Sequence, residues 1–127
     1  MVAEVEIDRK TGQVRAPHAF AAADAGQIIN PDGLKNQIEG GMIQSTSWTL
    51  HEAVRFDRNG ITSRDWSGYP ILTMPEVPEV DVALIDRPDE KPLGAGEAAQ
   101  GPMAAAFANA TGRRLPFSPE RVQTALG

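Results

Sequence analysis

The chain has 127 residues, 41 % of them apolar, with 12 basic and 17 acidic side chains, a net charge of −5 and no cysteine. This length suits one domain, residues 1–127, able to bury roughly 70 % of the unfolded chain's surface. The absence of cysteine excludes a disulfide framework, a thiolate zinc site, a cysteine-ligated iron–sulfur cluster and a cysteine nucleophile. No Lys/Arg cluster exceeds a pair, which argues against a nucleic-acid surface. No apolar run approaches the roughly 20 residues of a membrane span. The first residues, MVAEVEIDRK, lack a basic-then-apolar signal pattern, and the compartment stays open.

Val2, Val5 and Ile7 begin a strand, DRKTG supplies a turn with Gly12, and 14–23 can return, which predicts a hairpin over 2–23. The small residues Ala21, Ala22 and Ala23 suggest close packing at its end. Asp24-Ala25-Gly26 breaks the strand. Asn30 can cap a helix, Pro31 fits its first position, and Asp32 suits its positive end. From there the sequence predicts one long helix to 53 or 54. Leu34, Ile38 and Met42 mark one stripe, and Ile43, Leu50 and Val54 another. Gly40-Gly41 lies inside it, where each glycine costs about 1 kcal/mol against alanine, so a close backbone or ligand approach is expected there.

Asn59-Gly60 predicts a second hairpin. Residues 66–79, with Trp66, Tyr69 and three prolines, read as extended chain. Residues 80–85 alternate as a strand, and 86–102 is a Pro/Gly-containing loop following a specific path. A helix over 102–110 ends at Gly112. A last one runs from a Ser118 cap with Pro119 in its first turn to Leu126. The fold class is therefore α+β: a sheet of hairpin strands with one long helix and two shorter C-terminal helices packed on it.

Two polar clusters can carry chemistry. Gln37 and Gln44 lie about two helical turns apart, on one face with the Gly41 backbone. A glutamine offers both donor and acceptor, which suits a flat heterocycle. A solvated helix face beside a close helix–sheet crossing accounts for the same residues more simply. In Gly94-Ala95-Gly96-Glu97, small residues hold a carboxylate near a helix N-terminus, which keeps it ionised as a general base must be. An ordinary acidic residue before a helix is again the simpler account. Turn and cap chemistry suffices for Asp24-Ala25-Gly26 and Asn30-Pro31. The tryptophans and phenylalanines read as core or interface. His18 and His51 read as surface or satisfied core, and no metal ligands are assigned.

Taken together, DAGQIINPDGLKNQIEGGMIQSTSWTLHEAV, the acidic loop, PLGAGEAAQGP and the alanine-rich stretch before ATG resemble the C-terminal segment of a larger protein. That protein is the molybdenum-cofactor-binding (large) subunit of the xanthine dehydrogenase/aldehyde oxidase family. Within it, NQIEGGMIQSTSWTLHE and PLGAGEAAQGP look closest to the isoquinoline 1-oxidoreductase beta chain and aldehyde dehydrogenase type. The resemblance implies that the chain is the C-terminal part of a molybdopterin-binding domain. It implies Glu97 as the active-site base, Gln37 as a contact to the pterin of the molybdenum cofactor, and Gly96 in the same pocket.

The implied reaction hydroxylates a carbon of an N-heterocycle or an aldehyde with water as oxygen source. Electrons leave through a small [2Fe-2S] subunit or domain. Family subunits are several times longer, and FANATGRRLPFSPERV is shorter than the family pattern. The remainder of the large subunit is thus an expected partner. The isolated chain is expected to be inactive and to hold no molybdenum, with the 86–101 loop mobile. A different reading remains: a stand-alone or split structural or interaction domain that is non-catalytic and binds no cofactor. An independent hydrolase lacks a visible nucleophile–base pair.

Overall fold

The computed structural model describes residues 1–112 and 117–126. The first hairpin forms in two pieces. Strands β1 (Val2–Ala3) and β4 (His18–Asp24) pair antiparallel at its open end, with Val2 opposite Phe20. Strands β2 (Glu6–Ile7) and β3 (Val14–Arg15) pair near its turn. The return strand is interrupted at Ala16-Pro17 because proline has no N–H for the ladder. The Pro17 carbonyl instead accepts the Glu79 N–H at 2.9 Å.

Helix α1 (Pro31–Leu50) starts where its cap signals place it: the Asn30 side chain accepts the Gly33 N–H at 2.9 Å, and Pro31 occupies the first turn. It stops at Leu50, a few residues before the expected end. Glu52 turns back there, taking hydrogen bonds from the Ser47 hydroxyl at 2.5 Å and the Tyr69 phenol at 2.8 Å. The buried stripe runs through Ile38 and Met42 and continues through Ser45, Thr46 and Thr49. Small hydroxyls thus replace apolar side chains in its second half, and the Thr46 hydroxyl closes on the Met42 carbonyl at 2.9 Å. Asn30→Ala removes the cap acceptor and is expected to cost about 0.5–2 kcal/mol in urea unfolding.

The second hairpin, β5 (Phe56–Asp57) with β6 (Gly60–Ile61), forms as expected. A short 3-10 turn (Met74–Glu76) interrupts the extended stretch that follows. Strand β7 (Glu79–Ile85) then pairs with β4, and the pairing is parallel, with Ala21 opposite Val82. The main sheet has the order β1-β4-β7, so α1 and the chain after it form the crossover that a parallel pair requires. The parallel partnership was not foreseen, because periodicity gives a strand but not its neighbour.

Helix α2 (Gln100–Thr111) begins two residues before Pro102 and ends at Gly112. A proline is accepted in this first turn because its missing N–H has no intrahelical partner there. Helix α3 (Pro119–Leu126) sits over the first hairpin's turn, where the Gln123 amide donates to the Lys10 carbonyl. The core lies between one face of the main sheet and the helices. It joins Ala19 and Ala21 to Ile38, Met42, Met103 and Phe107, which accounts for the small residues of β4. The stretch expected to be shorter than the family pattern includes 113–116, outside the described residues.

Candidate functional site

Gly40 and Gly41 have different duties. A Cβ on Gly41 would stand 3.0 Å from the Ala99 Cβ, so this glycine lets the entry to α2 press against α1. A Cβ on Gly40 would meet nothing within 4 Å. Both glycines line an open groove of about 430 Å³, together with Asn36, Gln37, Ile43, Gln44 and Gly96. Within the chain the close approach at this glycine pair is that of the Ala99 side chain to Gly41.

The groove brings two of the three expected site residues together. Gly96 reaches Gln37 across the chain, and a Cβ on Gly96 would lie 3.9 Å from Gln37 Oε1. Gln37 and Gln44 share the helix face that their spacing placed them on, and both side chains are exposed. Glu97 follows Gly96 directly, exposed on the turn 96–99 that leads into α2. It does not line the groove itself. Its carbonyl accepts the Gln100 N–H at 3.3 Å. Among the described residues its carboxylate has no hydrogen-bond or ion-pair partner. Because α2 starts at Gln100, the helix N-terminus lies closer to Glu97 than Pro102 had suggested.

Asn36 and Ile43 complete the lining and carried no signal of their own beyond their place on the helix. In the neighbouring motif position, Glu39 turns away to Lys35, 3.6 Å off along the helix. The lining fits one edge of a flat polar heterocycle. Three amide side chains offer donors and acceptors, Ile43 gives an apolar contact, and the bare backbone at Gly40 and Gly96 leaves room for a ring. Among the described residues no cluster of three or more His, Asp or Glu side chains could hold a metal ion, and no helix is long and apolar enough to cross a membrane.

A second groove continues along α1 from Ile43 and Gln44 to Trp48, with Trp66, Tyr69 and Ile71 on its far side. Glu52 also lines it, and the hydrogen bond to its carboxylate, with burial adding to it, pushes the Tyr69 phenol above its usual pKa. Beyond it, the hydroxyl and amide of Thr73, helped by His51 at 3.5 Å, hold the Glu76 carboxyl below its usual range. The tryptophans expected in core or interface positions are exposed, whereas Phe107 and Phe117 are core.

The first half of the loop expected to be mobile is tied down. Residues 86–93 hydrogen-bond to Ala25, Gly26, Gln27 and Ile28. Asp24-Ala25-Gly26 thus does more than turn the chain.

Comparison with known proteins follows the same geometry. A nicotinate dehydrogenase subunit of Pseudomonas putida is 48 % identical over 99 % of this chain. The beta chain of isoquinoline 1-oxidoreductase from Brevundimonas diminuta is 33 % identical over 95 %. The chain spans only 11 % and 16 % of the length of these two relatives. The solved aldehyde oxidoreductase of Desulfovibrio gigas superposes with a TM-score of 0.79 at 33 % identity, over 98 % of this chain and 15 % of that one. The α+β fold is therefore that of molybdenum hydroxylases. The family model for the molybdopterin cofactor-binding domain matches residues 1–78, which include Gln37, while Gly96 and Glu97 fall in the part matched by the individual relatives. On these matches the chain belongs to the molybdopterin cofactor-binding family, within the oxidoreductases of xanthine dehydrogenase type.

Proposed function

We propose that residues 1–127 are the C-terminal part of the molybdopterin-binding domain of a molybdenum hydroxylase large subunit, and that they supply one wall of its active site. The observation that carries this reading is the approach of Gly96 to Gln37 across the open groove of α1, with Glu97 next along the chain. In this reading Gln37 binds the pterin edge through its amide, Gly96 lets the ring approach the backbone, and Glu97 accepts the proton that water, the oxygen source, gives up. When bound, the molybdenum–pterin cofactor supplies the two-electron chemistry that hydroxylates a carbon of an N-heterocycle or aldehyde with water.

The remainder of the large subunit supplies the other walls, since a binding pocket needs convergent surfaces. A small [2Fe-2S] subunit takes the electrons. The main sheet supports this incompleteness. Val2, Phe20 and Ile85 point away from the helices on its outer face and remain exposed, as expected of a surface that the rest of the subunit covers.

The test is Gln37→Ala in the complete subunit. Molybdenum per subunit after purification is expected to fall by several-fold, since one of the few polar contacts that fix the ring is lost. Full metal content with unchanged turnover would remove Gln37 from the site.

A further inference from the structure

Resting on that reading, we propose that Asp24, Asp86 and Arg87 are positioning residues that fix the arm bearing Gly96 and Glu97 over the Gln37 face of α1. Because β4 and β7 are parallel, their C-terminal ends open on the same side of the sheet. From these ends one connection runs to α1 and Gln37, and the other runs to Glu97 and α2.

The two connections are bonded crosswise. Asp24 accepts the Gly26 N–H at 3.1 Å through Oδ1 and pairs with Arg87 Nε at 2.8 Å through Oδ2. Asp86 Oδ1 accepts the Ile28 N–H at 3.2 Å. The Arg87 N–H donates to the Gly26 carbonyl at 3.2 Å, and the Gln27 N–H to the Glu90 carbonyl at 3.3 Å. The Leu93 N–H donates to the Ala25 carbonyl at 2.9 Å. At Gly26, with φ of 72°, a Cβ would stand 2.1 Å from the Lys91 carbonyl oxygen. The two backbones touch there, and only glycine permits it.

Leu93 is the last point of this staple. Beyond it the chain passes half-buried Ala95, packed against the core, to Gly96. Three residues reach at most about 10 Å, so anchoring at Leu93 limits where Gly96 and Glu97 can stand relative to Gln37. The Asp24 and Arg87 side chains are partly exposed, and such ion pairs add little to global stability. Their place at the root of the arm gives them a local effect.

The experiment compares Arg87→Ala, Asp24→Ala and Arg87→Lys in the complete subunit, with Arg87→Ala also placed in a Glu97→Gln background. Hydrogen exchange of the peptides covering 25–30 and 86–93 is expected to speed up in both alanine variants, because the staple opens locally. Turnover per bound molybdenum is expected to fall about 10- to 100-fold, the scale of a misplaced reacting group, with KM unchanged. Arg87→Lys keeps the charge and should recover part of the loss. In the Glu97→Gln background Arg87→Ala should cost nothing further, because the group it positions is already gone. Faster exchange with normal turnover per bound molybdenum would overturn the proposal, as would an equal further loss in the Glu97→Gln background. Normal turnover of Glu97→Gln alone would instead overturn the functional reading on which the proposal rests.

Discussion

Glu97→Gln in the complete subunit is expected to lower turnover by roughly 10²–10⁴-fold, the size of general-base loss, with molybdenum per subunit near the unsubstituted level. Glutamine matches glutamate in shape and keeps its polarity, so the turn 96–99 is not disturbed. Glu97 ties into that turn through its backbone carbonyl, which accepts the Gln100 N–H and is left in place by the substitution. The change removes only the capacity to take up a proton. Among the described residues that capacity is uncommitted, since no side chain or backbone group of theirs engages the carboxylate. Gln37→Ala should show the opposite pattern, losing cofactor first and turnover with it. Measuring metal content and turnover on both variants therefore separates a proton acceptor from a ring contact. Normal turnover with full metal in Glu97→Gln would return this residue to an ordinary acid before a helix.

Phe107→Ala is expected to destabilise the 127-residue chain by about 3–5 kcal/mol. Phe107 is 0 % exposed and lies in the cluster that joins α2 to Ile38, Met42 and Ala19. The sheet meets the helices through alanines, and α1 meets the entry to α2 through Gly41, so few large side chains fill the centre. Losing the largest fully buried one leaves a cavity that neighbouring alanines are too short to close. The loss is a large share of the roughly 5–15 kcal/mol typical of a domain. Phe56→Ala is the control. Phe56 is 77 % exposed in the second hairpin and should change stability by less than about 0.5 kcal/mol. Urea unfolding reads both through the midpoint at constant slope. Equal midpoints for the two variants would contradict the core assignment.

The sequence by itself determined what is settled within a few residues along the chain. Asn30 and Pro31 start α1 because a cap acceptor and a preset φ act locally. The Asn59-Gly60 signal makes the second hairpin, Gly112 ends α2 and Pro119 opens α3, whereas α2 starts at Gln100 with no side-chain cap. Helical spacing alone put Gln37 and Gln44 on one face. The resemblance to the family motifs is what proposes chemistry for Gln37, Gly96 and Glu97, because the order of those motifs along the chain is itself the signal.

The tertiary structure decided everything that depends on residues far apart. No period of two or of 3.6 states that β7 lies parallel to β4, since a strand pattern carries its faces but not its neighbour. Gly40 and Gly41 look alike in the sequence and both line the groove, and only the position of Ala99 makes Gly41 a packing contact as well. The end of α1 depended on Tyr69 reaching back to Glu52. Asp24 and Gly26 read as a simple turn until Arg87 and Lys91 arrived from the other connection, and Ile28 and Asp86, which complete the staple, are 58 residues apart. Such contacts depend on the sheet, which holds the ends of β4 and β7 side by side. Their geometry belongs to the packed layers rather than to any local stretch of sequence, and it is what carries Gly96 to Gln37.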